Sequence, residues 1–264
     1  MRLSYYLFIA LFVGFTGLVG GCASDKARTA PDTPFYDGGD KTDPRLDSLT
    51  AEELYEKARR TADGGSYAQA IDLYKRLQTR YPFTAVAIQA QLEEAYANYR
   101  SANNEGALAG IDRFIKENPR SERMDYALYL KGLVFFDRIT GQFDSLLRID
   151  STKHEPSDAR LAFETFGLLV KQHSNSVYVH DAQQRMVWLR EWLAKNELHA
   201  INYYARRGAN VAVIRRGEQM IEKYQGTKTL NTVFPIMAKA YATLGLTAQA
   251  KQMEVLAAAN PSNP

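Results

Sequence analysis

The chain of 264 residues contains one cysteine, Cys22, so it forms no intrachain disulfide and no cysteine-built zinc or iron–sulfur site. Four histidines are present (His154, His173, His180 and His199), and no two share the i, i+4 spacing of a helical metal pair. Neither sign of charge dominates. The 33 Lys and Arg face 30 Asp and Glu, and a balance of +3 is too small to argue for nucleic acid. A Gly-rich phosphate loop, a G-x-S-x-G elbow and an H-E-x-x-H pair are all missing. What the chain has in quantity is alanine, 34 residues, together with 16 tyrosines, a combination that favours closely packed helices over sheets. With 45% hydrophobic and 24% charged residues it is neither wholly disordered nor a polytopic membrane protein.

The one long apolar stretch lies at the N-terminus. Met1 and Arg2 precede Leu3–Val19, a stretch interrupted by Ser4, Thr16 and two glycines, which suits a secretory signal better than a permanent span. It ends in Val19-Gly20-Gly21-Cys22, which resembles the bacterial lipobox. That resemblance implies cleavage after residue 21 and acylation of Cys22, with N-acyl and S-diacylglycerol groups that together hold a protein stably at a membrane. The alternative is an accidental cysteine at the end of a failed membrane segment. Ala23 follows the cysteine instead of the aspartate of inner-membrane retention, which implies the periplasmic face of the outer membrane. From Ala23 to about Asp47, three prolines, two glycines and six aspartates with little apolar periodicity read as a tether. Phe35 and Tyr36 within it are either a docking pair or a bland one.

A repeat follows. Thr50 with Glu53 forms a capping-box pattern, and Ala51–Thr84 fits a 34-residue tetratricopeptide unit: Ala58 small, Gly65 at the turn, Tyr67, Ala70, Tyr74 and Leu77 on the second helix, Pro82 at its end. The pattern Ala70-x3-Tyr74-x2-Leu77-x4-Pro82 returns from Ala107 to Pro119, from Ala162 to Ser174 and, weaker, from Val213 to Gln225. A last copy runs through Ala238, Tyr241, Gly245, Ala250 and Ala257. The expected fold is therefore all-α: five helix pairs, ten helices, stacked as a right-handed solenoid. An excess of residues at Asp137–Glu155 implies an insertion between the helices of the third repeat. Val177–Arg207 has few breakers and predicts one unusually long helix opening the fourth. The expected organisation is a signal peptide (1–21), a lipidated tether (22–47), an N-terminal half of repeats one to three (48–173) and a C-terminal half (174–264).

Several strings make the resemblance specific. Arg80-Tyr81-Pro82-Phe83, Ala109-Gly110-Ile111-Asp112-Arg113-Phe114-Ile115, Asp125-Tyr126-Ala127-Leu128-Tyr129-Leu130-Lys131-Gly132-Leu133, Tyr203-Tyr204-Ala205-Arg206-Arg207-Gly208-Ala209 and Ala258-Ala259-Asn260-Pro261-Ser262-Asn263 resemble the BamD (ComL) family. These are lipoproteins of the outer-membrane β-barrel assembly (BAM) complex. Ser174 and Gln225 depart from it, standing where the family usually has proline. The resemblance implies a non-catalytic scaffold that binds the POTRA domain of BamA and often BamC and BamE. It also implies reception of unfolded outer-membrane proteins through a C-terminal β-signal. It carries Tyr81 over as a β-signal contact, with packing under the next repeat as the alternative. It places Arg216, and beside it Arg215, where family members couple to BamA, against ordinary solvated arginines. No cofactor or metal is expected beyond the lipid on Cys22.

Two other classes stay open. One is a different tetratricopeptide lipoprotein, such as a pilotin-type secretin-assembly factor, expected to have regular repeats without the 137–155 insertion. The other is a helical-solenoid lytic transglycosylase, whose typical Glu-Ser motif occurs at none of the fifteen glutamates.

Overall fold

Thr50 closes a capping box on the first long helix. Its backbone N–H donates to Glu53 Oε2 at 2.9 Å and its hydroxyl accepts the Glu53 N–H at 3.3 Å. The computed structural model describes residues 44–140, 150–153 and 155–260. Cys22, the tether residues before Pro44, most of the insertion and Pro261–Pro264 lie outside these.

Among the described residues a single turn, α1 (Pro44–Asp47), precedes ten longer helices. They pair as α2 (Ala51–Asp63) with α3 (Tyr67–Arg80), α4 (Ala85–Arg100) with α5 (Asn104–Glu117) and α6 (Met124–Ile139) with α7 (Ser157–Gln172). α8 (Val179–Arg206) with α9 (Asn210–Lys223) and α10 (Leu230–Thr243) with α11 (Thr247–Ala259) complete five pairs. Among the described residues no strand occurs, and the architecture is the expected tetratricopeptide-like solenoid.

The repeat positions are the core. Ala58, Ala70, Leu77, Ala107, Ile111, Phe114, Ala162, Phe166, Leu169, Val213 and Met220 are fully buried, and Tyr74 nearly so. Three apolar clusters join one pair to the next helix, and the fourth joins the last two pairs. Residues of α2–α4 form the first, α4–α6 the second, α6–α8 the third and α8–α11 the fourth. Burial is thus local and relayed from neighbour to neighbour, as a solenoid requires. The repeat position of Tyr67 predicts a core residue, but it opens α3 half-buried, with the Arg100 guanidinium 5.2 Å from its ring centroid, so it belongs to the rim and not to the repeat core.

Two boundaries differ from the sequence reading. The tether does not run to Asp47: α1 is fastened to the body, Asp47 accepting from Arg76 at 2.7 Å and from Arg80 at 3.4 Å. The insertion begins later than Asp137, because α6 continues to Ile139 on buried Phe135 and Ile139. Its return is held on α8, where Trp192 Nε1 donates to Ser151 Oγ at 3.1 Å and Asn196 Nδ2 to the Thr152 carbonyl at 2.8 Å. The long helix is continuous, 28 residues from Val179 to Arg206.

Candidate partner-binding surfaces

Antiparallel pairing leaves a groove wherever the second helices of two successive repeats flank the first helix between them. The larger, about 580 Å³, lies between α7, α8 and α9. Its floor is Leu193 and Met220, and Arg160, Arg190, Arg216 and Lys223 stand around it with Glu164 and Glu197. The Arg190 guanidinium lies 5.8 Å from the Phe163 ring centroid. A smaller groove of about 430 Å³ lies between α3, α4 and α5. There the nearly buried Glu94 accepts from Gln78 Nε2 at 2.7 Å and pairs with Arg113 at 3.5 Å.

Arg216 enters the larger groove already engaged. Its Nη1 donates to Glu197 Oε1 at 2.6 Å, one helix away, and its guanidinium lies 5.3 Å from the centre of the Tyr204 ring. The Glu197 hydrogen bond raises its pKa, so it is a permanent cation with one face still open. Arg215, its neighbour, points away and is exposed. The structure therefore separates the two arginines, and only Arg216 lines the groove.

Tyr81 is half-buried at the end of α3. Its hydroxyl donates to the Leu49 carbonyl at 2.7 Å, its ring packs beside the first cluster, and Arg80 covers the ring at 5.3 Å. Two residues on, Phe83 is 96% exposed. Cys22 lies outside the described residues.

A tyrosine band along the first helices escaped the sequence reading. Gln89 donates to the Tyr55 hydroxyl, which lies 3.5 Å from Glu93, and Arg123 reaches Gln89 at 3.3 Å. Tyr129 stacks on Tyr178 with centroids 4.6 Å apart and donates to Asp181 at 2.9 Å, which also accepts from Arg185 at 2.6 Å. Burial pushes the Tyr55 and Tyr129 hydroxyls up to about 12 and Tyr126 further, so all three keep their protons. The Tyr55 and Tyr129 hydroxyls are thus engaged within the band, with Gln89 and Asp181. The only local signal was the i, i+3 spacing of Tyr126 and Tyr129 on α6. Glu197, Arg160 and Arg190 carried none, because their meeting depends on how α7, α8 and α9 cross.

Comparison with known proteins covers the same body. Residues 47–256 match the model of a family named YfiO and described as outer membrane lipoprotein. The outer membrane protein assembly factor BamD of Neisseria meningitidis serogroup A is 37% identical over 196 residues, 74% of this chain and 73% of that protein. BamD of Vibrio cholerae is 34% identical over 209 residues, 79% and 87% of the two chains. BamD of Xylella fastidiosa strain 9a5c is 32% identical over 237 residues, 90% and 76%.

Proposed function

The chain belongs to the YfiO (BamD) family of outer membrane lipoproteins, and from that premise we propose that it is a non-catalytic scaffold for the assembly of outer-membrane proteins. It is held at the periplasmic face of the membrane by lipid on Cys22. Its C-terminal half couples to a POTRA domain of the BamA barrel protein through the groove that Arg216 lines, with BamC and BamE as further partners. Its N-terminal half receives the β-signal of an unfolded barrel protein beside Tyr81. Because the Tyr81 hydroxyl is tied to Leu49, its contribution to a client is the open part of its ring.

The observation that supports this reading best is Arg216: a fixed cation on a groove with an apolar floor, one face unoccupied. A partner carboxylate there would share or displace Glu197, and losing such an interfacial pair costs about 2–5 kcal/mol. Co-purification of the barrel protein with the membrane-anchored chain in mild detergent tests it. Arg216→Glu should abolish the co-purification and Arg215→Glu should weaken it far less. Equal retention by both variants would overturn the assignment.

A further inference from the structure

We propose that Glu93, on the tyrosine band along the first helices, is a recognition site for a basic side chain, lysine or arginine, of an extended client segment. The inference rests on the reading of the N-terminal half as the half that receives unfolded barrel proteins. It names a second feature that this half recognises in them.

Gln89, Glu93 and Tyr96 follow i, i+4 and i+7 along one stripe of α4, the helix that packs on both α2 and α6. The Glu93 carboxylate is half-buried, and the hydrogen bond described for it comes from the Tyr55 hydroxyl, at 3.5 Å. Among the described residues it forms no ion pair. A carboxylate can accept at about four positions, so one long bond leaves it under-partnered for its burial. Holding Tyr55 accounts for an acceptor there but not for a charge, because a glutamine would hold the hydroxyl as well. After burial itself, Glu93 is the strongest influence raising Tyr55, Tyr74 and Tyr126, ahead of Arg59 and Arg123 at Tyr55. At Tyr126 the other groups acting are tyrosines.

The surrounding charges keep the site anionic. On α2, Arg59 pairs with Glu56 at 3.6 Å, and on α8 Arg185 pairs with Asp181 at 2.6 Å. Asp125, at the start of α6, accepts from Ser176 Oγ at 2.7 Å and, like Glu93, forms no ion pair among the described residues. That leaves Arg123, exposed and donating to Gln89 at 3.3 Å, against two carboxylates. The aromatic lining points the same way. Tyr126 is half-buried, with its ring centre 5.7 Å from that of Tyr178, which stacks on Tyr129. Phenol rings attract cations through their faces and accept from them through their oxygens. Carboxylate and tyrosines together select a cation on a long apolar stem, which is lysine or arginine. An acidic or purely apolar segment gains neither contact.

The test uses the full acylated protein in detergent micelles. Its probes are three short fluorescent peptides of glycine, serine and tyrosine, identical but for a central lysine, norleucine or glutamate. Wild type should bind the lysine peptide about tenfold more tightly than the norleucine one, and the glutamate one weakest. In Glu93→Gln, which keeps an acceptor for Tyr55, the lysine preference should vanish, with thermal unfolding to check that the variant is folded. No preference in wild type, or an undiminished one in the variant, would overturn the proposal. A second measurement needs no variant. A carbodiimide joins carboxylates to amines in contact with them, and mass spectrometry should find the peptide lysine joined to Glu93. Attachment only to exposed carboxylates such as Glu52 and Glu117 would overturn it too. A β-signal peptide without lysine reads the Tyr81 site separately. If Tyr81→Ala leaves its binding unchanged, that reading fails, while the lysine preference still stands or falls by Glu93.

Discussion

Ala102 holds φ at +61°, in the turn within the second repeat, where the equivalent turns of repeats one, four and five place Gly65, Gly208 and Gly245. An L residue in that region costs about 1–2 kcal/mol, partly offset by the extra freedom a glycine has when unfolded. Ala102→Gly should raise stability by about 0.5–1 kcal/mol, read as a higher thermal midpoint. Gly132 shows the opposite constraint. A Cβ there would stand 2.4–2.8 Å from the Phe166 ring, whereas at Gly217 it would meet the bendable Met237. Gly132→Ala should therefore cost about 1–3 kcal/mol and Gly217→Ala clearly less, in paired denaturant titrations. Gly132 stood within a string quoted for its family likeness, but the aromatic that makes it necessary is contributed by the next helix. Tyr67 failed as a core residue for a related reason: repeat registry locates a side chain along its helix and not the depth of the rim at that end.

At the scale of elements, helix ends and pairings were legible because caps, turn residues and the 3.6-residue period are local. What was not legible is how the 137–155 region is fastened. Asp150 accepts the amide and the hydroxyl of Thr152, whose hydroxyl also meets His199 at 2.8 Å on α8. The Thr152 hydroxyl, opposed by burial, holds the Asp150 carboxyl below its ordinary 3.8. A lowered carboxyl contributes stability that is complete above the ordinary value and is lost as pH falls through the lowered one. The Thr152 amide should therefore be protected from hydrogen exchange at pH 7, lose protection only below about pH 4, and lose it at all pH in Asp150→Ala. Pro235, the sixth residue of α10, removes one backbone bond inside that helix. Pro235→Ala should stabilise the C-terminal pair by about 1 kcal/mol or more, seen in thermal unfolding.

For the molecule as a whole, the five helix pairs among the described residues stack so that each buries its neighbour's face, and Cys22 lies outside the described residues. A secreted Cys22→Ser chain should fold with unchanged helicity by circular dichroism, and its loss in cells should reflect lost effective concentration at the membrane. The family and the scaffold were readable because a repeated pattern reports architecture many times over. The partner surface was not, because Arg216, Glu197 and Tyr204 come from α8 and α9, and nothing in the order of residues pairs them. The central claim is that this surface docks the barrel-assembly partner by a carboxylate exchanging with Glu197. The most direct measurement is the affinity of the chain for the isolated POTRA domain, in wild type, Arg216→Glu and Glu197→Gln. The account predicts loss of binding by about 2–5 kcal/mol in the first variant and tighter binding in the second, where the guanidinium is released. Equal affinity across the three proteins would contradict it.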